Sequence, residues 1–549
     1  MKGLRIMIMR CVLLAMAVVC CSSCDDFLNE QPADRLPAAR FYRTLTQADQ
    51  GVNGIYADLR FIPDYEYGLM AETRSDNTWV NPTPNGQRDY SDIGTFRAGA
   101  STKTFENAWN AWYKVIYDAN VALAALGDGC DFDAERRSCL DAEAHFLRGW
   151  AYFELVRLFG SVPVSLSPIS PSEAASVPQS EAVSVLEDVV IPDLRSALTL
   201  PKRGEGPAGI GSARRGRADR VAALAMLARV YMTMLGFPYH DEGKRALATE
   251  ALNDVLASQD DYFAPTIDGW RAIWMPEDSP SPHVIFSIQY RSGGTGNPYI
   301  FNIVKNVPRS YVGGAMLRKG GNFSNNDIFV EKTLRHELAR LHSSGEADGR
   351  GEGWSVLDGF EAEPDLAAYP TEYEDMEVRG LTLRVAVNSM IYKPLPSVAK
   401  CQALGLAYDY SRLLNHNDWP VEFPVLRIED MMLLRAELYA EAGNVTEALA
   451  LVNAIRLRAG CDAAVASTPA EALQVVERER RLEFLGEGVR WFDEVRRGTW
   501  RQDVLSLLSR YREPSGTSPS FVSEGRYLFP IPQNQMAISS GLYVQNPGY

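Results

Sequence analysis

The chain has 549 residues, 46% of them apolar and 10% aromatic, which is enough to bury a large core and excludes disorder as the default state. Its formal net charge is −15, and an acidic chain is a poor match for nucleic acid, whose backbone is bound by positive surfaces that displace counterions. A neutral or cationic ligand suits this balance better.

In chain order, Lys2, Arg5 and Arg10 accompany a short apolar stretch from Ile6 to Cys21, followed by Ser22, Ser23 and Cys24. That stretch falls short of the roughly 20 apolar residues needed to span a bilayer. The pattern reads as a lipoprotein signal over residues 1–23, with Cys24 as the lipidated first residue of the mature chain. Cys21 stands where an aliphatic residue is usual, but Cys20 and Cys21 would follow Val19 and Cys20, which are poorer cleavage neighbours than Ser23. The mature protein is expected to be anchored to a membrane, not threaded through it.

Residues 61 to about 100 carry scattered prolines and aromatics and read as irregular. Helical periodicity then dominates, over Lys103 to Leu126, Ala134 to Phe159, Glu181 to Leu198, Arg217 to Leu235 and Gly243 to Leu256. From about 262 to 423 the chain again reads as loop-rich, with His283 to Tyr290 as a short strand and Arg291 to Pro298 as a turn. Helices return at Arg427 to Ala442, Val445 to Arg458 and Pro469 to Arg497, and residues 501–549 form a tail.

Within Arg427 to Gly460, the positions of Ala436, Tyr439, Gly443 and Ala448 follow tetratricopeptide spacing, in which small residues let two helices approach closely. Gly149 with Tyr152, and Ala228 with Tyr231, repeat the small-x-x-Tyr step. The fold class is therefore mostly α. Tetratricopeptide-like helix pairs at about 103–260 and 424–500 form a scaffold against a loop-rich lobe, all within one domain over 24–549.

Five separated strings carry a family resemblance: CDDFLNEQP at Cys24 to Pro32, DAEAHFLRGWAYFELVRLFGSVPVS at Asp141 to Ser165, ERERRLEFLGEGVRWFDEVRRG at Glu477 to Gly498, and the closing YLFPIPQNQ and QNPGY. In this order they resemble the SusD/RagB outer-membrane nutrient-binding lipoproteins of Bacteroidetes. The resemblance implies a cell-surface receptor that sits as a lid on a SusC-like TonB-dependent transporter and passes an oligomeric nutrient into its barrel. A glycan is the expected ligand, with peptide as the alternative and a pure assembly subunit as a second class. Asp25 and Asp26 resemble the surface-export signal of such lipoproteins.

No HExxH, GxSxG or P-loop occurs. His336 and His342 are six residues apart, which on a helix points them about 120° away from one another and gives no metal site. Acids are abundant, but most fall in amphipathic helical patterns, so the chain is read as a binding protein without enzymatic activity, cofactor or metal. EGVRWFDEVRRG packs charges together and is read as scaffold, with i, i+3 pairs Glu487 to Arg490, Arg490 to Asp493 and Glu494 to Arg497. The pairing of Cys130 with Cys139 stays open.

Sugars offer apolar C–H faces and many hydroxyls, so a binding site calls for flat rings beside polar forks. RSDNTWVN supplies both, and Arg74, Asp76, Asn77 and Trp79, with Tyr90 close by in sequence, form the first candidate group. Trp274, Tyr290, Tyr299 and Arg309 from the later loops form the second, expected to converge with the first. Trp109, Trp112, Trp150 and Trp491 lie on helical patterns and are assigned to the core.

Overall fold

The computed structural model describes residues 41–80, 88–127, 129–207, 216–276, 281–303, 328–357, 373–378, 381–386, 389–415, 417–510 and 519–549. Cys24, the leader and Arg309 therefore lie outside the described residues.

Helix α1 (Leu45–Asp58) begins at a capping box in which Thr44 and Gln47 satisfy each other's backbone N–H groups. It packs on the pair α2 (Lys103–Ala125) and α3 (Ala134–Phe159). A short connection makes these two antiparallel neighbours, and their buried faces meet through Trp112 and Trp150, whose ring centroids lie 5.1 Å apart edge to face. Gly149 permits a close approach: a Cβ there would sit 3.3 Å from the Val190 carbonyl oxygen and 3.0 Å from the Asp193 Cβ. The predicted helix from Glu181 to Leu198 is present but irregular, with a π-helical stretch at Leu186–Val190 and a tightened last turn at Ala197–Thr199.

Two more pairs follow, α4 (Arg220–Leu235) with α5 (Lys244–Leu256), and α6 (Ile428–Glu441) with α7 (Val445–Arg458). Ala436 and Ala448 are fully buried on the latter pair, and Gly443 turns between them at φ 82°. The predicted single run from Pro469 to Arg497 divides into α8 (Pro469–Glu483) and α9 (Arg490–Arg496). Gly486 and Gly488 adopt φ 77° and 69°, and a Cβ on Gly488 would meet the Tyr67 backbone at 2.5 Å. Those glycines turn the chain against residues 63–72.

Strands are short and pair only in twos among the described residues. Phe286–Ile288, inside the predicted His283 to Tyr290 strand, pairs antiparallel with Phe423–Leu426. Cys130 and Cys139 remain free thiols.

After α10 (Trp500–Arg510), the tail crosses back over the first helical pair. The Phe529 amide donates to the Leu158 carbonyl at 2.7 Å and Asn546 Nδ2 to the Phe159 carbonyl at 2.9 Å. Helix α11 (Gln533–Ile538) then lies beside α2, with Asn534 Nδ2 donating to Glu106 at 2.8 Å.

Candidate functional site

The sequence-predicted site residues that the structure describes, all but Arg309, are scaffold. Asp76 accepts a bidentate pair from Arg490 at 2.8 and 3.0 Å, and its backbone amide donates to Glu494 Oε1 at 3.0 Å. Burial works against its charge, but Arg481 and Arg490 outweigh that and hold its carboxyl far below the usual range. Asn77 donates to Glu72 at 3.1 Å and accepts from Arg481 at 3.1 Å. Arg74 lies 3.8 Å over the Phe96 ring and donates to the Arg526 carbonyl and the Tyr549 hydroxyl.

The rings are buried as well. Trp79, 7% exposed, stacks on Phe329 at 4.6 Å in a small cluster with Leu507. Trp274, 2% exposed, belongs to a different cluster with Trp270, Ile273 and Met275. Tyr90 is buried, Tyr299 is buried with its hydroxyl on the Gly486 carbonyl, and half-buried Tyr290 donates to the Arg60 carbonyl at 2.7 Å. The expected convergence of two ring-bearing groups on one open surface is thus corrected. Asp76, Asn77 and Tyr299 are instead held around the α8–α9 turn through Arg490, Glu72 and the Gly486 carbonyl, and Arg74 is held by the tail.

EGVRWFDEVRRG is scaffold as expected, although not through the predicted i, i+3 pairs. Arg490 pairs with Asp76 and, at i+4, with Glu494; Asp493 pairs with Arg480 and Arg496; Arg497 reaches Glu477. The end of α8 before it carries a buried network of ion pairs. Glu483 accepts from Arg350, Arg427, Arg458 and the Trp270 indole, each at 2.8 Å. Burial opposes its ionisation, yet Arg458, Arg427 and Arg350 hold its carboxyl well below the usual range. Asp76, Glu494 and Asp503 bring carboxylate oxygens within 4.8 Å of one another, the spacing of a cation site, but Arg490 already supplies the positive charge there.

An open site lies elsewhere. Between α2, the loop after α3 and the tail runs a groove of about 720 Å³. Trp109, Tyr113 and Tyr117 stand at i, i+4 and i+8 on α2 and form its floor and one rim. Trp109 is buried, Tyr113 half-buried with its hydroxyl on the Pro163 carbonyl at 2.7 Å, and Tyr117 46% exposed. Pro163 to Val177 make the second wall, held to the helices where Tyr152 bonds the Ser165 carbonyl and amide, both at 2.8 Å, and Asn120 bonds the Ser165 carbonyl at 2.9 Å. The tail supplies the third wall with Gln535, Ile538, Ser539 and Tyr543. Around the mouth, Leu166, Ile538, Leu542 and Val544 expose apolar surface.

Sequence reasoning missed this groove. The Trp109, Tyr113, Tyr117 stripe was visible in the sequence, but the tail that walls it is more than 400 residues away.

Residues 26–232 match the family model described as "Starch-binding associating with outer membrane", and residues 415–549 match the model of the SusD family. The chain belongs to the SusD family. It is 24% identical to the SusD-like protein P38 of Formosa agariphila over 508 residues, covering 88% of this chain and 90% of that one. Among solved SusD-fold structures, surface glycan-binding protein A of Bacteroides fluxus aligns with a TM-score of 0.69 and 21% identity over 92% of this chain and all of that one. A laminarin-binding SusD-like protein aligns with a TM-score of 0.65 and 24% identity over 92% of this chain and 100% of its own. The expected mostly helical SusD fold is therefore present, and the description of the first model names association with the outer membrane. Among the described residues no helix is long and apolar enough to cross a membrane.

Proposed function

We propose that this SusD-family protein is a cell-surface lipoprotein, anchored through Cys24, that binds an oligomeric glycan without altering it and delivers it to a SusC-like TonB-dependent transporter. The observation that carries the reading is the groove: large, open, floored by rings and edged by amides and hydroxyls, the chemistry that a sugar's C–H faces and hydroxyls require. The glycan-binding names of relatives with the same fold support it. Affinity is expected at about −4 to −8 kcal/mol, millimolar to micromolar, because a receptor that hands on its cargo must also release it.

Calorimetry of the purified mature protein against glycan and peptide panels tests the reading. Glycan binding with no released product supports it; binding of peptides alone replaces the ligand class. The exposed apolar rim of Leu166, Ile538, Leu542 and Val544 favours one second reading, a docking face for the transporter. Complex formation retained in a protein that binds no soluble ligand would establish that reading in place of the first.

A further inference from the structure

Resting on the receptor reading, we infer that the groove selects uncharged glycan chains laid along helix α2 and rejects chains bearing carboxylates or sulfates. Of the described side chains that line it, none belongs to Asp, Glu, Lys, Arg or His, although 23% of the whole chain is charged. A wall of this length without a charge is a strong chemical filter.

The nearest buried cation is already engaged. Arg148 gives Nε and Nη2 to Asp193 at 2.7 and 2.8 Å and Nη1 to Asn120 Oδ1 at 2.8 Å, so it neutralises a carboxylate behind the floor and faces no ligand. The acids near the mouth are Glu106, paired with Lys103, Asp118, paired with Lys114, and Glu173, bonded within its own helix cap. An anionic chain entering here would shed water from its charges, meet no cation among the described lining residues and approach a chain of net negative charge. A neutral chain meets none of these obstacles.

The geometry also sets a direction. Positions four apart on α2 rise by about 6 Å, and the Trp109 and Tyr113 ring centroids lie 5.0 Å apart at 36°, so the rings form a ramp from the closed end to exposed Tyr117. Asn110 on the helix and Gln535 on the tail stand together beside that ramp, Gln535 Nε2 donating to Asn110 Oδ1 at 3.4 Å, and keep further amide donors and acceptors for hydroxyls of a passing chain.

The test titrates the full mature protein with neutral chains (laminarin, starch, mannan, galactan) and with charged ones (alginate, polygalacturonate, carrageenan) at physiological salt. At least one neutral chain is expected to bind and the charged chains are not. Tyr117→Ala and Ile538→Asp, both at exposed positions, should each weaken that binding about ten-fold with unchanged melting temperature. Ser167→Lys should create measurable affinity for polygalacturonate. Binding of a charged chain that Tyr117→Ala weakens would overturn the selectivity and leave the receptor reading intact. Neutral binding indifferent to both groove variants would place the glycan elsewhere and overturn this inference alone. Absence of binding by every chain would overturn both.

Discussion

The turn between α8 and α9 and the groove beside α2 contain similar materials, aromatic rings and hydrogen-bonding groups, arranged to opposite ends. At the turn, Arg350, Lys393, Arg427, Arg456 and Arg458 face Asp348, Glu429, Glu479, Glu483 and Glu487, each cation touching at least one carboxylate within 3.0 Å. The described residues lining the groove carry no charge to satisfy, and Tyr117, Asn110 and Ser167 stand exposed. A binding surface is marked less by which residues it contains than by which of them still have bonding capacity left over.

The contrast can be broken most forcefully at Glu483. Replacing it by Ala takes one carboxylate from three buried guanidinium groups, which keep Asp348 and Glu479, Glu429 and Glu487, and Glu429 respectively, and should cost about 3–5 kcal/mol in chemical denaturation; a loss below 1 kcal/mol would show that the network is loosely solvated. Trp79→Ala is next. As a buried ring on Phe329 it should cost about 3 kcal/mol of stability and leave glycan affinity of the folded fraction unchanged. If affinity falls while stability holds, the RSDNTWVN stretch is a ligand site after all.

Acid should separate the two regions. Asp76, Asp430, Glu437, Glu483 and Asp493 all have carboxyls held below the normal range by arginines that outweigh burial. Each contributes stability present above its unfolded value of about 4 and lost as pH falls towards the folded value, because the unfolded chain takes up protons first. Asp58, pushed up to about 6 by burial and by Asp118, runs the other way and loses its contribution as pH rises through 6. Melting temperature should therefore fall steeply below about pH 4, whereas glycan affinity, measured between pH 5 and 8, should stay flat because nothing lining the groove titrates there. The smallest effect is expected at Tyr117: replacement by Ala should move stability by no more than about 0.5 kcal/mol.

The sequence carried the helices well. Ala134–Phe159 and Val445–Arg458 have the bounds that periodicity predicts, because an amphipathic stripe is a local property. The run to Arg497 was overextended because Gly486 and Gly488 read as tolerable helix residues until their positive φ is seen. The first candidate group failed for a different reason. Its composition was right for sugar, but Asp76 is bound by Arg481 and Arg490, more than 400 positions along, and no local pattern reveals that a fork is already occupied. The α2 stripe was equally legible: Trp109 is the buried core ring that its helical pattern predicts, and only the groove beside it was hidden, because the tail that walls it is equally remote.

The tail carries a consequence for biogenesis. Tyr549 receives the guanidinium of Arg74, and residues 535–543 complete the third wall, so a chain halted before this stretch has helices but no binding groove. The groove therefore takes shape only after the segment that carries Gln535 to Tyr543 has been made and has folded back on α2 and α3.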